Sequence, residues 1–244
     1  MTEPPCPHRP SSGPHPGPES QQVRVRLTRP EDIPGIIGLS RRIYGPEGAW
    51  LTRELVDHQR VFPEGQLVVV HRARSEIVGF AVSLLIDSRR VGIQASWDEI
   101  TARGHLTTHD PQNGDVLYGA GIAVHPKARG MGVGRRLYLA REAMAERLEV
   151  DRIRAGARIP GYRKVADQLD PFTYVDEVCR GIRRDPTLSF QLHMGFRVVG
   201  VALNYLPLDQ DSLGHAAVVE WRRRWNPAAT PVSERFRGKP PHPR

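Results

Sequence analysis

Three glycines at alternate positions separate a strand-like run from a helix-like one in Gly121-Ile122-Ala123-Val124-His125-Pro126-Lys127-Ala128-Arg129-Gly130-Met131-Gly132-Val133-Gly134-Arg135-Arg136-Leu137. Glycine lets backbone N–H groups turn inward with no side chain in the way. Such donors, at the positive end of a helix dipole, form an anion site. Arg129 and Arg135 add guanidinium groups suited to gripping phosphate oxygens in pairs. The spacing excludes two common phosphate loops. Glycines at 130, 132 and 134 do not fit the dinucleotide pattern G-x-G-x-x-G, and no Gly-Lys-Ser/Thr follows. Read alone, the loop is also compatible with an ordinary glycine-rich turn, so the elements around it carry the decision.

Other constellations are weaker. His105 and His109 lie four apart, a metal-ligand spacing only if the segment is helical; Gly104 and Asp110-Pro111 point to a loop, and no metal is expected. Arg222-Arg223-Arg224 reads as a solvated end after the last strand. The formal charge is +8, with the first twenty residues contributing −1, residues 226–244 contributing +3 and the body +6. Such an excess attracts polyanions, including nucleic acid or a highly phosphorylated small molecule. Neither zinc-finger spacing nor an aromatic-rich basic segment is present, so nucleic acid is not the expected partner.

The elements that must position the loop follow from periodicity. Residues 1–20 and 226–244 are rich in Pro and small polar groups and read as disordered tails around one domain, 21–225. Gln22–Leu27 alternates apolar with charged and predicts a half-buried strand. Helices are expected from Pro30 and over Leu51–Arg60, closed by Phe62-Pro63-Glu64-Gly65. Gln66–His71 and Ile77–Ile86 read as a hairpin, and 87–114 as a long polar excursion. Leu117–Val124 predicts a strand, Gly134–Leu148 a helix and Arg152–Ala157 a strand. A short helix from Asp185-Pro186 to Gly195 precedes two last strands, near 197–202 and 215–221. The order β-α-α-β-β-β-α-β-α-β-β predicts an α/β fold: a mixed sheet with helices on both faces. Cys6 and Cys179 cannot form a disulfide framework, and neither a signal-peptide run nor a ~20-residue apolar span is visible; a soluble, cytoplasmic protein is expected.

V-x-P-x-x-R-G-x-G-x-G, with a strand before it and a helix after, resembles motif A of the GCN5-related N-acetyltransferase (GNAT) family. The resemblance covers roughly residues 22–222 and includes Phe190-Gln191-Leu192-His193-Met194-Gly195-Phe196, similar to that family's helix ending in Gly-Phe. Phe62-Pro63-Glu64-Gly65-Gln66, Ile159-Pro160-Gly161-Tyr162 and Asn204-Tyr205-Leu206 resemble one bacterial branch, whose members can be fused to a nitrilase-like amidase domain; these residues show none. The resemblance implies a mostly antiparallel sheet of about seven strands. It also implies acetyl-CoA as co-substrate, a small-molecule or peptide amine as acceptor, and a monomer or homodimer. Ile122 and Val124 would then hold the pantetheine arm by backbone bonds. Arg129, Gly130, Met131, Gly132, Val133, Gly134 and Arg135 would form the pyrophosphate cradle.

Two positions depart from the pattern. Many relatives carry a tyrosine acid where this sequence has Gln191, and an amide is no general acid near neutral pH. Tyr205, Tyr118 and His193 are weak substitutes, each more readily read as a core or surface residue. The strand where many relatives place a carboxylate base reads Leu117-Tyr118-Gly119-Ala120-Gly121 and offers none; Asp115 stands at its start. Binding acyl-CoA beside an amine supplies much of the rate by proximity alone, so an enzyme and a catalytically silent acetyl-CoA sensor both remain open. About thirty residues, 157–187, separate the fifth strand from the next helix. Asp170-Pro171 starts a further helix there. That insert reads as an acceptor lid, with Tyr162 and Arg163 as substrate contacts beside Arg158 and Lys164, or as a structural insert with a basic face.

Overall fold

Apolar runs, continuous in the central strands, build one sheet, and a computed structural model describes residues 22–223 of the chain. The tails 1–20 and 226–244 lie outside the described residues. The strands are β1 (Val23–Leu27), β2 (Gln66–His71), β3 (Glu76–Ile86), β4 (Val116–Val124), β5 (Arg152–Arg158), β6 (Arg197–Ala202) and β7 (Ala216–Arg222). Their order across the sheet is β1-β2-β3-β4-β5-β7-β6. Every neighbouring pair is antiparallel except β4 and β5.

Helices α1 (Ile33–Tyr44), α2 (Thr52–Val61) and α3 (Trp97–Thr101) cover one face, burying Ile36, Leu39, Leu55 and Ile100 against Phe80, Leu84 and Tyr118. Helices α4 (Val133–Arg147), α5 (Pro171–Cys179) and α6 (Leu188–His193) cover the other, burying Leu137, Met144, Tyr174, Val178 and Leu188 against Leu117, Ile153 and Val219. Among the described residues no helix is long and apolar enough to cross a membrane.

The insert folds as its sequence predicts. Asp170 accepts the N–H groups of Phe172 and Thr173 at the start of α5. Asp185 caps α6 through Thr187 and Leu188 N–H, and its other oxygen accepts from Gly161 N–H and the Tyr174 hydroxyl. One buried carboxylate thus ties the segment after β5 to two helices. The excursion 87–114 is more ordered than its polarity suggests. Ser96 and Glu99 form a capping box that starts α3, and Ile100 and Leu106 are buried.

Arg154 on β5 and Glu220 on β7 stand opposite each other in the ladder and are both buried. The guanidinium donates to Glu220 Oε2 at 3.1 and 3.2 Å, while Arg222 donates to Oε1. Removing one member of such a pair leaves an uncompensated buried charge. Glu220→Ala should therefore lower unfolding free energy by about 3–5 kcal/mol, whereas replacing Arg154 and Glu220 together by leucine should cost much less. Denaturant titration of the three proteins checks this, and equal losses for single and double variants would contradict it.

Candidate functional site

The parallel ladder between β4 and β5 has three rungs, Leu117↔Ile153, Tyr118↔Arg154 and Gly119↔Ala155. Beyond them the two strands run on to Val124 and Arg158 with no rung between them, which leaves a gap; its far end, at Val124 and the loop after it, is here called the wide end and its apex, at Gly119, the narrow end. On its other side β4 stays paired with β3, but a bulge at Ala120 shifts the register between Val82↔Gly121 and Ser83↔Gly119. The extra residue changes the strand's phase. Gly119 lies against Arg141 on the α4 face, Ala120 and Gly121 both meet the opposite face, and Ile122 returns to the α4 side.

Arg141 holds this bulge. Its side chain, 1% exposed, donates from Nε to Ser83 Oγ at 3.0 Å and from Nη2 to the carbonyls of Val82 and Gly121 at 3.2 and 3.0 Å. A Cβ on Gly119 would stand 2.8 Å from Nη1, so only glycine admits the guanidinium there.

The backbone of β4 faces the gap at the two expected positions. His125 N–H donates to Val78 O, which sets 125, 123 and 121 toward β3. The N–H and C=O of Ile122 and Val124 therefore point away from β3, into the gap. Tyr44, at the end of α1, donates its hydroxyl to Ile122 O at 2.6 Å. Burial pushes that hydroxyl's pKa up to about 12, against the opposing pull of Arg158.

The glycine loop stands at the wide end. Gly130 and Gly132 have φ of +83° and +73°, the left-handed region, and a Cβ on either would meet nothing within 4 Å. Gly132 is the N-cap of α4. Arg129 and Arg135 are exposed and within ion-pair distance of no described carboxylate, while Met131 is half-buried and Val133 packs into the core. Gly134 serves packing instead, since a Cβ there would lie 3.3 Å from the Phe190 ring. The loop thus combines open space, the start of a helix and two cations with no described carboxylate partner, which fits a pyrophosphate.

Aromatic residues wall the narrow end. Trp97 donates its indole N–H to Ala120 O at 2.8 Å, and its ring lies 5.4 Å from that of Trp50. Trp50 fills the space beside Gly121. The hydroxyls of Tyr118 and Tyr205 bond each other, and the Tyr205 ring occupies the position a Gly156 side chain would take. Burial raises both pKa values, so both hydroxyls are neutral, and one of them donates to the other. Two of the three expected substitutes for the missing acid therefore come together beside the gap. His193 is exposed at the end of α6 and bonds neither.

Gln191 is turned inward, donating from Nε2 to the Tyr138 hydroxyl at 2.9 Å, with Oε1 buried and unpartnered. The insert places its residues unevenly. Tyr162 is buried between Tyr174 and His215, whereas Arg163 and Lys164 are exposed. Arg158 is already bound by Asp209, donating from Nε to Oδ2 at 2.7 Å. His105 Nδ1 bonds Asp57 at 2.6 Å, while His109 Nδ1 accepts from Leu85 N–H and stacks on Phe62. Turns separate the two imidazoles, so they do not converge on one point.

The model of the acetyltransferase (GNAT) family matches residues 39–164. The uncharacterized N-acetyltransferase YkwB of Bacillus subtilis (strain 168) is 30% identical over 212 residues, covering 85% of this chain and 92% of YkwB. The probable hydrolase YhcX of the same organism is 39% identical over 201 residues, covering 82% of this chain; the chain spans only 39% of YhcX. Among solved structures, the GphF GNAT-like decarboxylase in complex with isobutyryl-CoA superposes with a TM-score of 0.71 at 26% identity, covering 82% of this chain and all of that one.

His58 supports the aromatic wall from behind. It meets the Trp50 ring edge-on at 4.8 Å and bonds Gly104 O at 2.7 Å. Burial pulls its pKa from 6.5 down to about 4. The unfolded chain therefore takes up a proton first as pH falls. Stability should decline between pH 6.5 and 4 by about 3 kcal/mol through this group and level off below. Denaturant titrations against His58→Gln check it: the variant should lack that share of the decline, and parallel curves would point to other groups.

Proposed function

The chain belongs to the GNAT family of acetyltransferases, and from that premise we propose that it transfers an acetyl group from acetyl-CoA to a primary amine of a small-molecule or peptide acceptor. The observation that carries the reading is the open glycine cradle at Gly130 and Gly132, set at the wide end of the β4–β5 gap. The loop N–H groups, the start of α4 and the Arg129 and Arg135 side chains would hold the pyrophosphate. The gap-facing backbone of Ile122 and Val124 would align the pantetheine arm, with Tyr44 giving up its bond to Ile122 O. The acyl carbon then comes to lie between the bulge at Ala120 and the Tyr118–Tyr205 pair, where a neutral hydroxyl can donate to developing negative charge. Arg163, exposed beside the end of β5, would meet the acceptor's anionic groups.

A second reading is favoured by one observation. Three carboxylates beside β4 and β5 are occupied: Asp209 by Arg158, Glu220 by Arg154 and Asp115 by Ser88 and Arg152. Loss of CO2 from a carboxyacyl-CoA needs no base, and likeness to a GNAT-like decarboxylase supports that chemistry here.

Thiol release from acetyl-CoA with an amine panel, beside CO2 release from malonyl-CoA, separates the two. Calorimetric binding of acetyl-CoA with turnover in neither assay would leave the chain a sensor. Gly132→Asp should weaken CoA binding more than tenfold while the fold survives, because the side chain enters open space with a charge opposed to phosphate. Unchanged CoA binding by the folded variant would remove the cradle. Arg163→Ala should raise the acceptor KM with CoA affinity unchanged, and equal acceptor kinetics would free the insert of that role.

A further inference from the structure

Arg141 is a buried cation with no anion. Among the described residues no carboxylate lies within ion-pair distance of it, and its bonds go to Ser83 Oγ and to two carbonyls. An unpaired buried charge is costly, and natural cores rarely keep one without a use. A shorter polar residue could bridge Ser83 and the bulge without that cost. The position matters as much as the charge. Gly119 and Ala155 form the last rung of the parallel ladder, and the guanidinium fills the space that a Gly119 side chain would take. It therefore sits at the apex of the gap. From Val124 back to Gly119 is about 17 Å of strand, a length that an extended pantetheine arm covers from the cradle.

We propose that Arg141 is an electrostatic catalytic residue that stabilises the thiolate of departing CoA at the apex of the gap, in place of a proton donor. The inference rests on the acyl-CoA reading above. As the amine nitrogen bonds the thioester carbonyl carbon, the C–S bond breaks and sulfur keeps the electron pair. The proton lost by the nitrogen passes to solvent water. No acid at position 191 is needed, which accords with an amide there that is engaged with Tyr138. The other titratable groups around the apex do not compete. Tyr138, Tyr118 and Tyr205 are buried and Tyr44 is half-buried, all with pKa raised and neutral, while Arg158 and Arg154 are matched by Asp209 and Glu220.

The test reads protons rather than turnover. Calorimetry of the full chain at pH 7, in two buffers of different ionisation enthalpy, counts protons released as CoA binds. Desulfo-CoA, which lacks the thiol, subtracts what the phosphates contribute. CoA should release more than about half a proton beyond desulfo-CoA, the result of a fall of about two units from an ordinary thiol pKa near 8.5. Arg141→Met should abolish that difference and Arg141→Lys should retain it. Equal proton counts for CoA and desulfo-CoA in the wild-type protein overturn the inference, whether or not the methionine variant folds. So does a folded Arg141→Met protein that binds CoA and still releases the proton. Failure of wild-type protein to bind CoA at all removes the acyl-CoA reading, and this inference with it.

Discussion

The ladder between β4 and β5 stops after three rungs, and the arrangement of the site depends on that early stop. Two parallel strands that stayed paired to Val124 and Arg158 would bury the backbone groups of Ile122 and Val124 in hydrogen bonds. The bulge at Ala120 prevents this on the β4 side. One extra residue bends the strand and increases its local twist while its pairing with β3 continues. Bulges leave carbonyls badly placed for the ladder. Here they are taken up from both faces, by Arg141 on Gly121 and by the Trp97 indole on Ala120. Gly119 and Gly121, on either side of Ala120, let Arg141 and Trp50 approach the strand closely from its two faces.

The parts legible in the sequence are those whose determinants are local. Glycine spacing at 130, 132 and 134 located the left-handed turn ahead of α4, and hydrophobic periodicity located the strands on either side. Asp170-Pro171 marked α5 through its cap. The Ser96 and Glu99 pair carried the same kind of signal for α3, yet the polar composition of 87–114 obscured it. Arg141 carried only a partial signal. It stands four after Leu137 and three before Met144, on the apolar face of α4, but an arginine on such a face normally lays its stem there and reaches out to water. Its burial is set by Gly119 and Ser83, which are 22 and 58 positions away in the chain. Arg154 and Glu220 were hidden for the same reason, since alternating charges in strands normally face water.

Gln191 illustrates a different limit. Its type excluded a role as acid, but not where its side chain would go. Once turned to Tyr138, the amide satisfies its donor and leaves Oε1 buried without a partner. A buried unsatisfied acceptor costs about 1–3 kcal/mol. That cost sits next to the buried charge of Arg141, whose guanidinium lies 5.8 Å from the Tyr138 ring centre. Two polar anomalies on one turn of α4 and its neighbour mark this stretch as shaped by something other than packing.

The two ends of the gap also differ in how they are built. The wide end is made by a single continuous segment, Val124 to Arg135, so its chemistry is preserved wherever that segment folds. The narrow end is assembled from pieces far apart in the chain. Trp97 N–H donates to Tyr205 O, Val91 O accepts from Arg154, and a Gly200 side chain would collide with Ile93. The excursion 87–114 and the connection between β6 and β7 therefore hold each other in place over Tyr118. A substitution in either one moves the aromatic wall without touching the cradle. The two ends are in this way physically separable: the cradle end rests on glycine conformation and helix polarity, the aromatic end on the mutual fit of two long connections.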